Sequence, residues 1–178
     1  SGEQVISIVP KYKHMGCLQY PDGRISPELK CRASSSRAAL NASSAVYRSR
    51  GLKYGSKLLH MRAHSMSRLA YNSQSYPVLN SVELDIFSSQ YVRNLRTASS
   101  LRSNPKRQFS NDFVYSRTQA LRPYQLLSKI RLFYFQRFLL YAPGPLRNIV
   151  AAEFESDKRS KGWPSSVLAD LCRMYQSI

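Results

Sequence analysis

Residues 123–142 read Pro-Tyr-Gln-Leu-Leu-Ser-Lys-Ile-Arg-Leu-Phe-Tyr-Phe-Gln-Arg-Phe-Leu-Leu-Tyr-Ala, and this run decides the fold class. Pro123 suits a first helical position, where its missing N–H is no loss, and Pro143-Gly144-Pro145 closes the run. Between them Leu126, Leu127, Ile130, Phe133, Tyr134, Phe138 and Tyr141 recur at three- and four-residue steps over more than half the circumference. A helix so apolar is expected to be covered by other elements. It is not expected to cross a bilayer: Ile130 to Pro145 is interrupted by Arg131, Gln136 and Arg137 and falls short of the ~20 apolar residues required.

Helical patterning continues on both sides. Downstream, Pro145 starts a helix carrying Leu146, Ile149, Val150 and Phe154, Gly162-Trp163-Pro164 breaks it, and Val167, Leu168, Leu171 and Met174 mark a last short helix. Upstream, Asn80-Ser81-Val82-Glu83 fits a capping box, followed by Leu84, Phe87, Tyr91, Leu95 and Ala98 as the apolar stripe of a helix ending near Leu101. Arg93, Arg96 and Arg102 fall off that stripe. Ser103-Asn104-Pro105 stops it, and Lys106 to Val114 reads as a linker. Residues 80–178 are therefore expected to form a helical domain.

Residues 1–79 read differently, as a basic and partly irregular extension. Val5-Ile6-Ser7-Ile8-Val9 is the one convincing strand candidate, and Tyr20-Pro21-Asp22-Gly23 has turn chemistry, with Gly supplying positive φ. Ser26-Pro27-Glu28 resembles a helix start, with a short helix expected to about Leu40. From Asn41 to Gly55 the Ser and Gly content argues against continuous order without a partner. A second helix is expected from Ser56 to Tyr71. The fold class is thus mainly α: a C-terminal helical bundle with a long basic, partly extended N-terminal region.

The charge is lopsided. Lys and Arg number 27 against 10 Asp and Glu, a net +17, and such a domain repels itself unless a polyanion neutralises it. No acid occurs between Leu29 and Val82, a stretch holding Lys30, Arg32, Arg37, Arg48, Arg50, Lys53, Lys57, Arg62 and Arg68. Between Ile86 and Ala152 the single acid is Asp112. Arg outnumbers Lys, which favours bidentate phosphate contacts and stacking on bases. Tyr47-Arg48, Lys53-Tyr54, Arg68-Leu69-Ala70-Tyr71 and Tyr115-Ser116-Arg117 set rings beside cations, a pattern suited to irregular or single-stranded RNA. The alternative for each Tyr is packing inside its own protein. Arg32, Arg37, Arg48, Arg50, Lys53, Lys57, Arg62, Arg68, Arg93, Arg96, Lys106 and Arg107 are the candidate RNA-binding residues.

Catalytic patterns are missing from the sequence. There is no phosphate-binding P-loop, no Gly-x-Gly-x-x-Gly and no His-Glu-x-x-His, and the acids Glu153, Glu155 and Asp157 sit beside Lys158, Arg159 and Lys161 as on a solvated helix end. His14-x-x-Cys17 is a single ligand pair in search of another: His60 and His64, one helical turn apart, are the possible completing ligands, Cys31 lacks a nearby second ligand, and no metal or other cofactor is expected. Three cysteines without framework spacing argue against a disulfide-stapled secreted domain. An enzyme, and with it a small-molecule substrate, ranks last among the functional classes.

One resemblance adds to this. Tyr124 to Ile178, with Ile130-Arg131-Leu132-Phe133-Tyr134-Phe135-Gln136-Arg137-Phe138 on its first helix and Phe154 on its second, resembles the LYR-motif proteins, small three-helix mitochondrial proteins. The Leu-Tyr-Arg tripeptide is absent, and only Arg137 or Arg147 matches the family's later Arg. The resemblance implies a mitochondrial accessory or assembly role, without the family's binding site.

Taken together, the sequence leads to the expectation of a structural constituent of an organellar ribosome, in the mitochondrial matrix after removal of a leader, bound to rRNA and neighbouring proteins. A supernumerary subunit of a mitochondrial inner-membrane complex is the first alternative, its charge meeting anionic lipid. A viral nucleic-acid-binding coat protein is the second.

Overall fold

The computed structural model describes residues 12–14, 17–20, 23–101, 109–156 and 162–175. Among them the chain is mainly helical. The helices are α1 (Ser26–Ala42), α2 (Ser44–Arg48), α3 (Tyr54–Met61), α4 (Ser67–Leu69), α5 (Ser81–Ala98), α6 (Asn111–Thr118), α7 (Pro123–Tyr141), α8 (Gly144–Ser156) and α9 (Trp163–Tyr175). A π-turn, Arg62–Met66, joins α3 to α4. Two short strands, β1 (Tyr12–His14) and β2 (Cys17–Gln19), pair antiparallel, with Tyr12 opposite Gln19.

α5 is the organising element. Its start is the capping box read from the sequence: the Glu83 N–H donates to Asn80 Oδ1 at 2.9 Å, and the Asn80 N–H to Glu83 Oε2 at 3.1 Å. Glu83 also accepts from Ser26 Oγ at 3.2 Å, which ties the first turns of α1 and α5 together. Asn80→Ala removes one cap and should cost about 1 kcal/mol, read as a lowered thermal midpoint.

The stripe Phe87, Tyr91, Leu95 and Ala98 is buried, as its spacing requires. So are Gln90 and Asn94, polar residues bordering that stripe, where α1 and the π-turn pack on α5. There Asn94 donates to Ser36 Oγ at 2.9 Å and to Met66 Sδ at 3.4 Å, Gln90 donates to Asn94 Oδ1 at 2.8 Å, and Ser65 Oγ to the Ser36 carbonyl at 2.9 Å. Mutual hydrogen bonding removes the penalty that isolated amides would incur at such depth.

The core runs from Leu29 of α1 through Tyr47, Met61, Leu69, Phe87 and Val114 to Leu127 of α7, so residues on both sides of position 79/80 build it. Within Asn41 to Gly55, where continuous order is not expected without a partner, the five-residue α2 forms around Tyr47, which is only 3% exposed. In place of a linker through Val114, α6 starts at Asn111, where the Phe113 N–H bonds Ser110 Oγ at 3.2 Å. The strand candidate Val5 to Val9 lies outside the described residues. The turn at Tyr20 to Gly23 closes with the Gly23 N–H on the Tyr20 carbonyl at 3.0 Å and a Gly23 φ of 67°.

Two corrections concern α7. Phe133, Leu140 and Tyr141 are 61%, 64% and 76% exposed, so the helix expected to be covered is covered on one side only. On that side Tyr134, Phe135 and Phe138 meet Trp163 of α9, with ring centroids 5.9, 6.0 and 6.3 Å apart. Arg131, read as an interruption, is buried: it pairs with Asp170 of α9 and donates from Nε to the Tyr76 carbonyl at 3.1 Å.

Burial also sets the tyrosine chemistry. Tyr91 is pushed up to about 12, first by burial and then by neighbouring Tyr115, with Arg62 opposing. Burial, and then the Glu28 charge, raises Tyr76 as well. A phenol whose folded pKa is raised gives stability that is complete below its unfolded value of about 10 and is lost as pH climbs towards the folded value. Unfolding free energy should therefore decline from pH ~10 to ~12, and Tyr91→Phe should flatten the decline. Equal slopes for the two proteins in denaturant titrations would count against this.

Candidate nucleic-acid interface

Among the described acids Glu28 and Asp170 are buried, while Asp85, Asp112, Glu153 and Glu155 are exposed. Glu28 is buried, accepts the Leu18 N–H at 2.8 Å and pairs with Arg32 at 2.5 Å. Glu83 caps α5, and Asp170 is buried against Arg131. Asp112 pairs with Arg122 at 3.0 Å on the surface. From Ser26 to Leu101 this leaves Asp85 as the single exposed acid, against exposed Lys30, Arg37, Arg48, Arg50, Lys53, Arg62, Arg68 and Arg93. The surface of this segment is accordingly positive, with a single exposed carboxylate to offset its cations.

The twelve candidate residues divide by what holds them. Arg32 is engaged internally: besides Glu28 it donates to Cys17 Sγ at 3.7 Å and lies 4.4 Å over the Tyr71 ring. Burial alone lowers the Arg32 pKa, but the hydrogen bond and charge of Glu28 outweigh it and leave it raised. Burial likewise raises the Cys17 thiol, helped by Glu28 and opposed by Arg32. Arg96 also serves the fold, donating to the Phe109 carbonyl at 2.7 Å and Asn111 Oδ1 at 2.9 Å, so it fastens the segment entering α6. Lys57 donates to the Tyr47 carbonyl at 3.1 Å, and Arg37 to Gln90 Oε1 at 3.3 Å. Arg48 folds back on Ser44, while Arg50, Lys53, Arg62, Arg68 and Arg93 are exposed. Lys106 and Arg107 lie outside the described residues.

Two places bring cations together with groups that nucleic acid uses. The first surrounds Tyr54, where Lys53 precedes the ring, Arg117 of α6 lies over it at 5.8 Å, and the Tyr54 hydroxyl donates to the Arg117 carbonyl at 3.2 Å. Burial raises the Tyr54 pKa while Arg117 and Arg62 pull it down, so both guanidinium groups act on one ring. Arg117 was absent from the candidate residues, although Tyr115-Ser116-Arg117 carried the ring-and-cation signal. The second is a groove of about 780 Å³ between the end of α1 and α5, lined among others by Asn41, Ser44, Ser88, Ser89, Arg93 and Thr97. Hydroxyls and amides around an Arg are the donors that position phosphate and sugar. Asp85 stands in the same lining and restricts where an anion sits.

The aromatic candidates divide too. Tyr54 and Tyr71 are exposed, whereas Tyr47 is in the core and Tyr115 stacks on Tyr91 with centroids 6.2 Å apart. Among the described residues no three His, Cys, Asp or Glu side chains gather to hold a metal ion, and no helix is long and apolar enough to cross a membrane. The His60 and His64 rings lie 5.5 Å apart at a tilt of 36°, and Cys31 is exposed on α1. Compared with protein-family models, curated proteins and solved structures, the chain has no match in any of the three.

Proposed function

We propose that this chain is a structural constituent of an organellar, mitochondrial ribosome and binds rRNA through its exposed cations. One observation carries the proposal: from Ser26 to Leu101 the chain exposes eight Lys and Arg side chains against one exposed acid, Asp85, a surface that suits a polyanion as neighbour. The Tyr54 patch and the polar α1–α5 groove supply ring faces and phosphate donors of the kind RNA uses. No catalytic role is assigned.

The test is ribonuclease treatment of a native lysate, following this protein by sedimentation. Collapse of a fast-sedimenting species supports the ribonucleoprotein. A large complex that survives digestion supports the second reading, an accessory subunit of an inner-membrane complex, for which the exposed Leu139, Leu140 and Tyr141 at the end of α7 are the favouring observation.

A further inference from the structure

A second groove, of about 690 Å³, lies between the α3–α4 segment and α7, with Tyr91 and Leu95 of α5 in its lining. Its lining is mostly apolar, Met61, Met66, Leu126, Ile130 and Phe133 among it, and no Asp or Glu takes part. Two exposed cations line it from opposite walls, Arg62 from the π-turn and Lys129 from α7. Neither forms an ion pair among the described residues.

The apolar lining continues beyond the groove. Leu126, Ile130, Phe133, Arg137, Leu140 and Tyr141 fall on one side of α7 at three- and four-residue steps, beside the side whose Tyr134, Phe135 and Phe138 meet Trp163. From Leu126 to Tyr141 this side extends about 22 Å at 1.5 Å per residue. It is a track with a third cation, Arg137, along it.

We infer that this groove and track dock an acidic amphipathic helix of a neighbouring protein, with apolar side chains at three- and four-residue steps in the groove and carboxylates on Arg62, Lys129 and Arg137. A helix matches both the length of the track and its spacing, since ridges on one helix fill grooves beside another. A second copy of this chain is disfavoured, because each carries a net charge of +17. A flat bilayer cannot reach the floor, where Tyr91 and Leu95 are 4% and 2% exposed. An RNA base would find few hydrogen-bond partners for its edges in so apolar a lining. The inference stands independently of the RNA reading.

The experiment uses the full chain, freed of nucleic acid at high salt, and fluorescence anisotropy with three synthetic helical peptides of about four turns. One has Leu at three- and four-residue steps flanked by Glu, one is a scrambled version of it, and one replaces Glu by Lys. The Glu-flanked peptide should bind at least ~10-fold more tightly than the scrambled one. Phe133→Asp should abolish that binding, and Val82→Asp, at an exposed position of α5, should leave it unchanged. The double variant R62E/K129E should lose the Glu-flanked peptide and gain the Lys-flanked one, a reversal that misfolding cannot produce. Equal binding of ordered and scrambled peptides overturns the inference. So does displacement of the peptide by single-stranded RNA, or retention on anionic vesicles, if Phe133→Asp removes that RNA or vesicle binding.

Discussion

Asp170→Ala should destabilise the protein by about 3–5 kcal/mol, which at this chain length lowers the thermal midpoint by roughly 10 °C. Asp170 and Arg131 have 0% and 3% of their side chains exposed, so solvent screens the pair little and no discount for exposure applies. Removing the carboxylate leaves a guanidinium that cannot lose its proton at neutral pH and cannot reach water. Burial already pulls the Arg131 pKa below its ordinary value, and Asp170 only partly offsets this. The carboxylate also accepts from Ser128 Oγ at 2.7 Å and from Arg173 at 3.1 Å, although Arg173 is half exposed and adds little. The Tyr76 and Pro77 carbonyls remain as acceptors, but they carry no countercharge. Replacing both partners together, R131M/D170L, should recover most of the loss, because two apolar side chains of similar volume need no partner. Urea unfolding of the single and double variants measures both. A single variant within ~1 kcal/mol of the parent would mean that water enters the site.

RNA affinity should fall by 10³ to 10⁵ on raising salt from ~50 to ~200 mM if roughly six to ten phosphates are contacted. Arg48, Arg50, Lys53 and Arg68 are exposed and form no ion pair among the described residues. Changing all four to Gln should reduce the slope of log affinity against log salt by about 3, at ~0.7–0.9 per contact, without lowering stability. Arg32→Gln should do the opposite, loosening the contact between β2 and α1 while changing the salt slope little, because its guanidinium is held by Glu28 and Tyr71. Filter binding over a salt series with a structured RNA decides the matter. Affinity that does not move with salt would remove the basis for an RNA partner.

Local rules explain which parts of this were legible. The α5 cap, the Gly23 turn and the start of α7 at Pro123 depend on residues within a turn of each other, and the sequence states them directly. Arg117 was legible as a ring-and-cation pair, but its placement over Tyr54, 63 residues away, was not. Arg131 reads as an interruption of an apolar helix until Asp170, 39 residues on, is brought against it. The partner of Asn94, Ser36 of α1, lies 58 residues away and is not signalled by any local pattern.

The helical class, the caps and stops of the principal helices and the net charge of +17 follow from the sequence, through periodicity, backbone hydrogen bonding and composition. Only the tertiary structure decided which cations remain free, which carboxylates are buried, and which side of α7 stays uncovered. Burial and pairing are set by contacts between residues far apart in the chain, and a side chain's type does not specify its partner.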